Sequence, residues 1–481
     1  MSDAPVTWIK LDRAAGDLEG QISRAVRERI LQGQLVPGQR LGSTRGLAQA
    51  LGVARSTVVL AYDHLRAEGF LDTAPGAPTR VARLRPTPFP HAPTTAVSEP
   101  PQPYITQPSG QFRPGVPDLS AFPAPIWARC LGARTRGLRI HDLGYTEPAG
   151  LAELRAAIVE HAAASRGVLA QADQVLVLPS TAMAIDLLAR LMQQHDQDRG
   201  HNRLRAWVED PGYPVAQRLL RGAGAELIPV PVDAEGIDIS RTPVGRPGLI
   251  YVSPSHQYPT GGTMSLPRRL ALLDAAAQHG ALILEDDYDS EFLYDDRPLA
   301  CLQGIDRSER VAYLSTFSKV LAPGLRVAYA IVPRWLLGPA LTLLQDTAGM
   351  VPVHTQAALA DFMREGHLRA HVRRMRPVYA ERMRVTAEAL RAVCGAELDV
   401  GQGAVGLQLA AWFRDPAIDD TAIVRSLEER GVRLRALSAL SIADPRPGLL
   451  IGIATATRSG AERLARLVLR LVEAQRPGHP G

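Results

Sequence analysis

A proline-rich segment is the feature that most limits how this chain can fold. Ten of the 32 residues from 86 to 117 are proline. Proline restricts the backbone and donates no backbone hydrogen bond, so such a segment favours extended conformations and cannot build a core. We therefore predict a linker over residues 86–115, a smaller domain before it (1–85) and a larger one after it (116–481).

Positive charge is concentrated before this linker. Residues 1–85 contain 12 Lys and Arg against 8 Asp and Glu, a balance of +4 within a formal net charge of +5 for the 481-residue chain. A basic domain of this kind favours a polyanion such as DNA. The three cysteines match neither a metal nor a disulfide pattern, and no apolar run suits a signal peptide or a membrane span. We expect a cytoplasmic protein without a bound metal.

The smaller domain has the pattern of a helix-turn-helix followed by a β-hairpin. Ser43 is placed to cap a short helix, Gly52 permits a tight turn, and a further helix is expected from about residue 55 to 68. In this motif, the first residues of the second helix meet DNA base edges. The residues at or near these helix starts that suit DNA are Arg45, Arg55, Ser56 and Thr57.

The larger domain alternates short β-rich runs with helical stretches, which predicts an α/β sheet with parallel strands. Long helices are expected beyond Arg334, followed by a smaller α+β portion with strands near residues 406–411 and 449–453. The strand candidates of the main sheet are residues 175–178, 206–208, 249–252, 281–284, 311–314 and 327–331.

One lysine stands out in this domain. The chain contains only two lysines, Lys10 and Lys319, and an amine can form a Schiff base where an arginine cannot. Asp286 follows an apolar strand and could pair with a protonated pyridine nitrogen. Residues suited to a phosphate lie at the ends of predicted strands: Ser180, Thr181, Ser318 and Arg326. Each of these residues alone could have a purely structural role. Their shared position at strand ends favours a ligand site, because ligands of open α/β sheets bind there.

Resemblance to known families extends this interpretation. Residues 15–82, with the runs Leu-Val-Pro-Gly-Gln-Arg-Leu-Gly-Ser-Thr-Arg and Leu-Gly-Val-Ala-Arg-Ser-Thr-Val, resemble the GntR family of winged helix-turn-helix regulators. Gly42 departs from the proline usual there, which we expect to loosen the turn. The runs Glu-Asp-Pro-Gly-Tyr-Pro at 209–214, Ser-Pro-Ser-His-Gln-Tyr-Pro-Thr-Gly at 253–261 and Glu-Asp-Asp-Tyr-Asp at 285–289 resemble fold-type I aminotransferases. Together they resemble the MocR branch of GntR regulators.

The resemblance implies pyridoxal phosphate as cofactor, with Lys319 as its Schiff-base lysine. It also implies that Asp286 pairs with the pyridine nitrogen, Tyr288 with the ring hydroxyl, and that Tyr213 lies against the ring. Phosphate ligands would be Ser180, Thr181, Ser318 and Arg326, with Tyr145 reaching across a homodimer. His256, in the run 253–261, would be a further cofactor-binding residue. The implied partners are a double-stranded DNA operator, a second copy (head-to-tail being one arrangement) and a small-molecule effector.

One departure bears on activity. Leu450 stands where aminotransferases keep the arginine that binds the substrate carboxylate, and Arg446 and Arg458 lie at the wrong offsets. We expect little or no transaminase activity and a regulator that senses a small molecule, with pyridoxal phosphate itself as one candidate. Two alternatives stay open: a working aminotransferase with an accessory DNA-binding domain, and a DNA-binding dimer whose large domain only assembles.

Overall fold

A computed structural model of the protein describes residues 8–73, 77–83, 110–144, 147–242, 245–294, 300–347, 350–403 and 405–476. The chain divides into two compact units, residues 1–104 and 105–481. The sequence-based boundaries at residues 85 and 115 remain predictions. In the part of the chain that the structure describes, no helix has the length and apolar character needed to span a bilayer, and no cluster of metal-ligating side chains occurs.

The first unit is a small helical domain with a short hairpin. Its elements are α1 (Leu18–Leu31), α2 (Thr44–Leu51), α3 (Arg55–Ala67), β1 (Leu71–Asp72) and β2 (Arg80–Val81). Ser43 Oγ accepts a hydrogen bond from Gly46 N at 3.1 Å, which caps α2, and Gly52 ends that helix with a φ of 63°. The predicted helix-turn-helix and hairpin are therefore confirmed. The sequence also predicts a turn at Pro75-Gly76 between the two hairpin strands, and these two residues lie outside the described residues.

The second unit is built on a sheet of eight strands in the order β3-β10-β9-β8-β7-β4-β5-β6. These strands are β3 (Val175–Leu178), β4 (Arg205–Asp210), β5 (Glu226–Asp233), β6 (Gly236–Ile237), β7 (Leu249–Val252), β8 (Leu282–Asp287), β9 (Val311–Thr316) and β10 (Ala328–Ile331). All six predicted strands are present, and the predicted α/β class of the larger domain is confirmed.

Helices cover both faces of this sheet. Alternate residues of β4 show why: Val208 packs in the apolar cluster that contains α6 and α7, and Trp207 packs in the cluster that contains α8. Strands buried on both faces are apolar throughout, which is why they were visible in the sequence. The helices of this unit are α4 (Ala124–Arg136), α5 (Ala152–Arg166), α6 (Thr181–Asp198), α7 (Pro214–Gly222), α8 (Leu266–His279), α9 (Leu302–Ile305), α10 (Arg334–Thr347), α11 (Val353–Arg364), α12 (His367–Cys394), α13 (Asp420–Glu428) and α14 (Arg458–Glu473).

The prediction of parallel strands was wrong for one strand. β10 runs antiparallel to both of its neighbours, β9 and β3, whereas β4, β5, β7, β8 and β9 form parallel pairs. Only residues 317–327 connect β9 to β10, and a parallel crossover needs a longer connection, usually through a helix. The antiparallel return places Lys319 in a short connection at the end of β9.

Sequence analysis also missed β5. This strand contains Pro229 and Pro231, which cannot donate to a β-ladder and therefore argue against a strand in the sequence. The structure accommodates them because β5 lies near the sheet edge, where the short strand β6 pairs only with Val232 and Asp233.

A smaller antiparallel sheet follows the long helices. Its strands, in the order β11-β12-β14-β13, are β11 (Leu398–Val400), β12 (Gln408–Phe413), β13 (Arg435–Ala436) and β14 (Gly448–Gly452). The two strands predicted here correspond to β12 and β14, within two residues at each end. The helices expected beyond Arg334 are also present as α10, α11 and α12.

Candidate functional site

A cavity at the carboxyl ends of the main strands is lined by half of the predicted cofactor residues. It has a volume of about 610 Å³ including its open mouth. The loops after parallel strands meet at one edge of a sheet, so residues far apart in the chain converge there. Five of the predicted residues line the cavity: Thr181, Tyr213, Asp286, Tyr288 and Lys319.

Lys319 presents its amine to this cavity from the connection between β9 and β10. Its Nζ donates a hydrogen bond to the carbonyl oxygen of Gly115 at 2.7 Å. Burial lowers the pKa of Lys319, an effect that the carboxylates of Asp289 and Asp286 oppose. A lowered pKa increases the share of neutral amine, which is the nucleophilic form.

Asp286 is buried at the end of β8 and has one free oxygen. Tyr251 donates its hydroxyl to Asp286 Oδ2 at 2.5 Å, while Oδ1 has no hydrogen-bond partner among the residues that the structure describes. Burial raises the pKa of Asp286 to about 6. A buried acceptor without a partner is costly and needs an explanation, and a protonated pyridine N–H would satisfy it. The residues present therefore fit pyridoxal phosphate.

The predicted phosphate ligands are less closely gathered. Ser180 caps α6 by accepting a hydrogen bond from Met183 N at 3.2 Å, next to Thr181 in the cavity wall. Ser318 and Arg326 lie on the connection that carries Lys319, and the Arg326 side chain is exposed. Ser180, Ser318 and Arg326 do not line the cavity. Their role in binding phosphate stays a prediction, as does that of Tyr145, which lies outside the described residues.

His256 lies behind Tyr288 and does not line the cavity. The two rings stack with centroids 5.5 Å apart, and His256 Nδ1 lies 2.6 Å from Asp289 Oδ1 and 3.2 Å from the Tyr288 hydroxyl. On its other side, the Tyr288 hydroxyl accepts a hydrogen bond from Gln408 Nε2 at 3.2 Å. These contacts hold the Tyr288 ring in the cavity wall, and a role of His256 in binding the cofactor stays a prediction.

Sequence analysis missed several residues that line the cavity: Pro114, Gly115, Tyr251, Tyr258, Thr316, Gln408 and Arg435. Tyr251 could have been found, because its hydroxyl is the one side-chain polar group in the apolar run of β7 and must find a buried partner. Gln408 and Arg435 could not, since they belong to the small sheet and no local pattern reports where that sheet packs.

The predicted DNA-binding residues lie together at the starts of α2 and α3. Arg45, Arg55 and Ser56 are exposed and Thr57 is half-buried. Neither arginine forms an ion pair within the described ranges, and no side chain caps the start of α3. Free backbone amides and unpaired guanidinium groups at a helix start suit phosphate and base edges. Their contacts with DNA remain predictions.

Comparison with known proteins identifies both parts. A family model described as bacterial regulatory proteins of the gntR family matches residues 18–81, and the model for aminotransferase class I and II matches residues 138–468. The probable rhizopine catabolism regulatory protein MocR of Rhizobium meliloti is 37% identical over 92% of this chain and 92% of its own length. The pyridoxine biosynthesis regulator PdxR of Corynebacterium glutamicum is 32% identical over 87% of each chain.

The large domain also matches a solved enzyme. The alpha-aminoadipate aminotransferase LysN of Thermus thermophilus, complexed with N-(5'-phosphopyridoxyl)-L-leucine, gives a TM-score of 0.67 at 26% identity and covers 76% of this chain and 92% of that chain. Pyridoxal phosphate is thus confirmed as the cofactor at the level of the family. The chain belongs to the MocR-type transcription regulators of the GntR family, in which a DNA-binding helix-turn-helix is joined to an aminotransferase-like domain.

Proposed function

We propose that this regulator holds pyridoxal phosphate through Lys319 and that occupancy of this site by a small molecule changes its affinity for operator DNA. The observation that carries the proposal is the unpartnered Asp286 Oδ1, buried in the same cavity as the Lys319 amine. When bound, the cofactor supplies an aldehyde for amines and an electron-withdrawing ring.

Each residue of the cavity has a separate role in binding the cofactor. Lys319, whose pKa is lowered by burial, attaches the cofactor, and Asp286 accepts the pyridine N–H. Tyr213 and Tyr288 hold the ring, and Tyr213 is itself fixed by edge-to-face packing with Tyr258 at 5.4 Å. The phosphate is assigned to Thr181 together with Ser180, Ser318 and Arg326.

Gly115 offers a connection between the cofactor site and the linker. Its carbonyl accepts the hydrogen bond from Lys319, and residue 115 ends the segment predicted as linker. Nearby, Gln111 N donates to Gly431 O at 3.1 Å, so the end of this segment is attached to the large domain. A cofactor attached to the Lys319 amine would compete with this hydrogen bond to Gly115, which supports coupling between cofactor binding and the linker.

The remaining proposals concern partners. The effector is a small molecule, which the names of the two regulators, linked to rhizopine catabolism and pyridoxine biosynthesis, support as a class. Arg45, Arg55, Ser56 and Thr57 bind the operator. The protein acts in the cytoplasm as a homodimer, in which Tyr145 of each protomer reaches the phosphate bound by the other.

The first test is the visible absorption spectrum of the purified protein, with and without added pyridoxal phosphate. Wild type and Lys10→Ala are expected to show a cofactor band that Lys319→Ala lacks. Because the chain has only two lysines, reduction with borohydride followed by peptide mass analysis assigns the attachment point without ambiguity. Absence of the band in wild type, or labelling of Lys10, would contradict the proposal.

Coupling to DNA needs a second measurement. Operator fragments selected from random duplexes are titrated with cofactor-free and cofactor-loaded wild type, and with Lys319→Ala. We expect the cofactor to change the Kd of wild type and to leave that of Lys319→Ala unchanged. Cofactor-free and cofactor-loaded wild type could instead bind the operator with equal affinity, both with and without amino acids or other amines. That result would refute the sensing of a small molecule and leave cofactor binding as the only part of the proposal.

A further inference from the structure

Arg435 lies directly opposite Leu450 in the small sheet. The register of the antiparallel strands β13 and β14 pairs these two residues. Side chains of directly opposed residues project from the same face of a sheet, and neighbouring strands are about 4.8 Å apart. Leu450 holds the position where the resemblance places the carboxylate-binding arginine of aminotransferases. Arg435 therefore lies on the same face, one strand away from that position.

This face is turned toward the cofactor cavity. Arg435 lines the cavity together with Lys319, Tyr258 and Gln408, and Gln408 extends from the same sheet. Leu450 is fully buried and packs in an apolar cluster with Tyr258. Burial is the main cause of the lowered pKa of Lys319, and the positive charge of Arg435 adds to it.

The contacts of the Arg435 guanidinium within the described residues are limited to one long hydrogen bond. No carboxylate of the described residues forms an ion pair with it, and its Nη1 lies 3.5 Å from the Tyr258 hydroxyl, at the outer limit of a hydrogen bond. The two arginines considered from the sequence are placed elsewhere. Arg446 stacks over the Trp412 ring at 5.3 Å and lines a different cavity, and Arg458 begins α14.

We propose that Arg435 binds the carboxylate of the effector, which is therefore an amine that also carries a carboxylate. A planar guanidinium donates two parallel N–H groups to a carboxylate, and the amine end of the same molecule faces Lys319. This inference rests on the proposed function, since the amine end needs the cofactor site. It replaces the expectation drawn from Leu450 that the chain lacks a carboxylate-binding group.

The test uses probes that differ only by the carboxylate. Glycine and methylamine, β-alanine and ethylamine, and 4-aminobutyrate and propylamine form three matched pairs. Each is titrated into cofactor-loaded wild type, Arg435→Gln, Arg435→Lys and Arg446→Gln, and its Kd is taken from the change in the visible spectrum.

For at least one pair, wild type is expected to bind the amino acid about 10-fold to 100-fold more tightly than the amine. Arg435→Gln reduces this preference to within about two-fold while the amine Kd stays the same, and Arg435→Lys keeps part of it because a point charge lacks the bidentate geometry. Arg446→Gln behaves as wild type. Thermal unfolding curves establish that each variant is folded; if Arg435→Gln is not, the reduced preference of Arg435→Lys relative to wild type decides.

Three results would overturn the inference: equal affinity for both members of every pair in wild type, no response to any of the six probes, or an unchanged preference in Arg435→Gln. In each of these cases the cofactor band is still present, so the cofactor-binding part of the proposed function stands. Absence of the band in wild type refutes the proposed function itself, and the two failures are thereby distinguished.

Discussion

The DNA-binding surface and the cofactor cavity are assembled in opposite ways. The four predicted DNA contacts fall within residues 45–57, on two consecutive helices, and three of the four side chains are exposed. The cavity is lined by residues from Pro114 to Arg435, and Asp286 within it is 4% exposed. On a surface made from one local motif, a substitution removes one contact and leaves the others in place. In a buried site, charges and hydrogen bonds connect residues of distant elements, so one substitution affects several of them.

The largest expected effect therefore lies in the cavity. Asp286→Asn removes the negative charge that faces the cofactor ring while it keeps the shape of the side chain. We expect pyridoxal phosphate to bind about 100-fold more weakly, since an unpaired buried cation costs about 3 kcal/mol or more. Spectral titration of the cofactor-free protein measures this. The same substitution at exposed Asp274 is the control, and equal Kd values for both variants would remove Asp286 from the site.

A smaller effect is expected on the DNA-binding surface. Arg55→Ala should weaken operator binding by about 1–3 kcal/mol and leave the cofactor band unchanged, because the lost contact is local. If Arg55 binds a phosphate, the slope of log K against log salt also falls by about 1. Arg66→Ala, farther along the same helix and paired with Asp63, is the control. A changed cofactor band in Arg55→Ala would break the contrast between the two regions.

A pH dependence sharpens the contrast further. Burial raises the pKa of Asp286 to about 6, so its carboxyl becomes protonated in the cofactor-free protein as the pH falls through that value. The cofactor needs the anion, and its affinity should fall below pH 6 by at most about tenfold per pH unit. Other groups that titrate affect wild type and Asp286→Asn alike. The ratio of the two affinities for the cofactor therefore reports the titration of Asp286. A ratio that stays constant from pH 5 to 8 would contradict the assignment.

The smallest effect concerns two glycines of the first unit. A Cβ at Gly42 meets no heavy atom within 4 Å, and Gly42 has no positive φ, so Gly42→Ala should stabilise α2 by about 0.4–1 kcal/mol. Gly52→Ala should destabilise it, because φ there is +63° and the new Cβ would lie 2.9 Å from Arg13 Nη2. Hydrogen exchange of the α2 amides in the full chain measures both. Equal protection in the two variants would exclude backbone conformation as the cause.

The accuracy of the sequence-based predictions follows the same contrast. The cap at Ser43, the turn at Gly52 and the buried strands were predictable because each depends on neighbours within a few residues. β5 was missed because its prolines argue against a strand unless its position near the sheet edge is known. The phosphate ligands stay predictions, since Ser180, Ser318 and Arg326 do not line the cavity.

The amino-acid sequence by itself determined the two-part organisation, the family, and the candidate cofactor residues at each strand end. Only the tertiary structure decided which of them meet: it paired Tyr251 with Asp286, placed His256 behind Tyr288, and brought Arg435 into the cavity opposite Leu450. The physical reason is that side-chain chemistry and local backbone preference belong to a residue and its neighbours. Strand register and sheet packing depend instead on contacts between residues hundreds of positions apart.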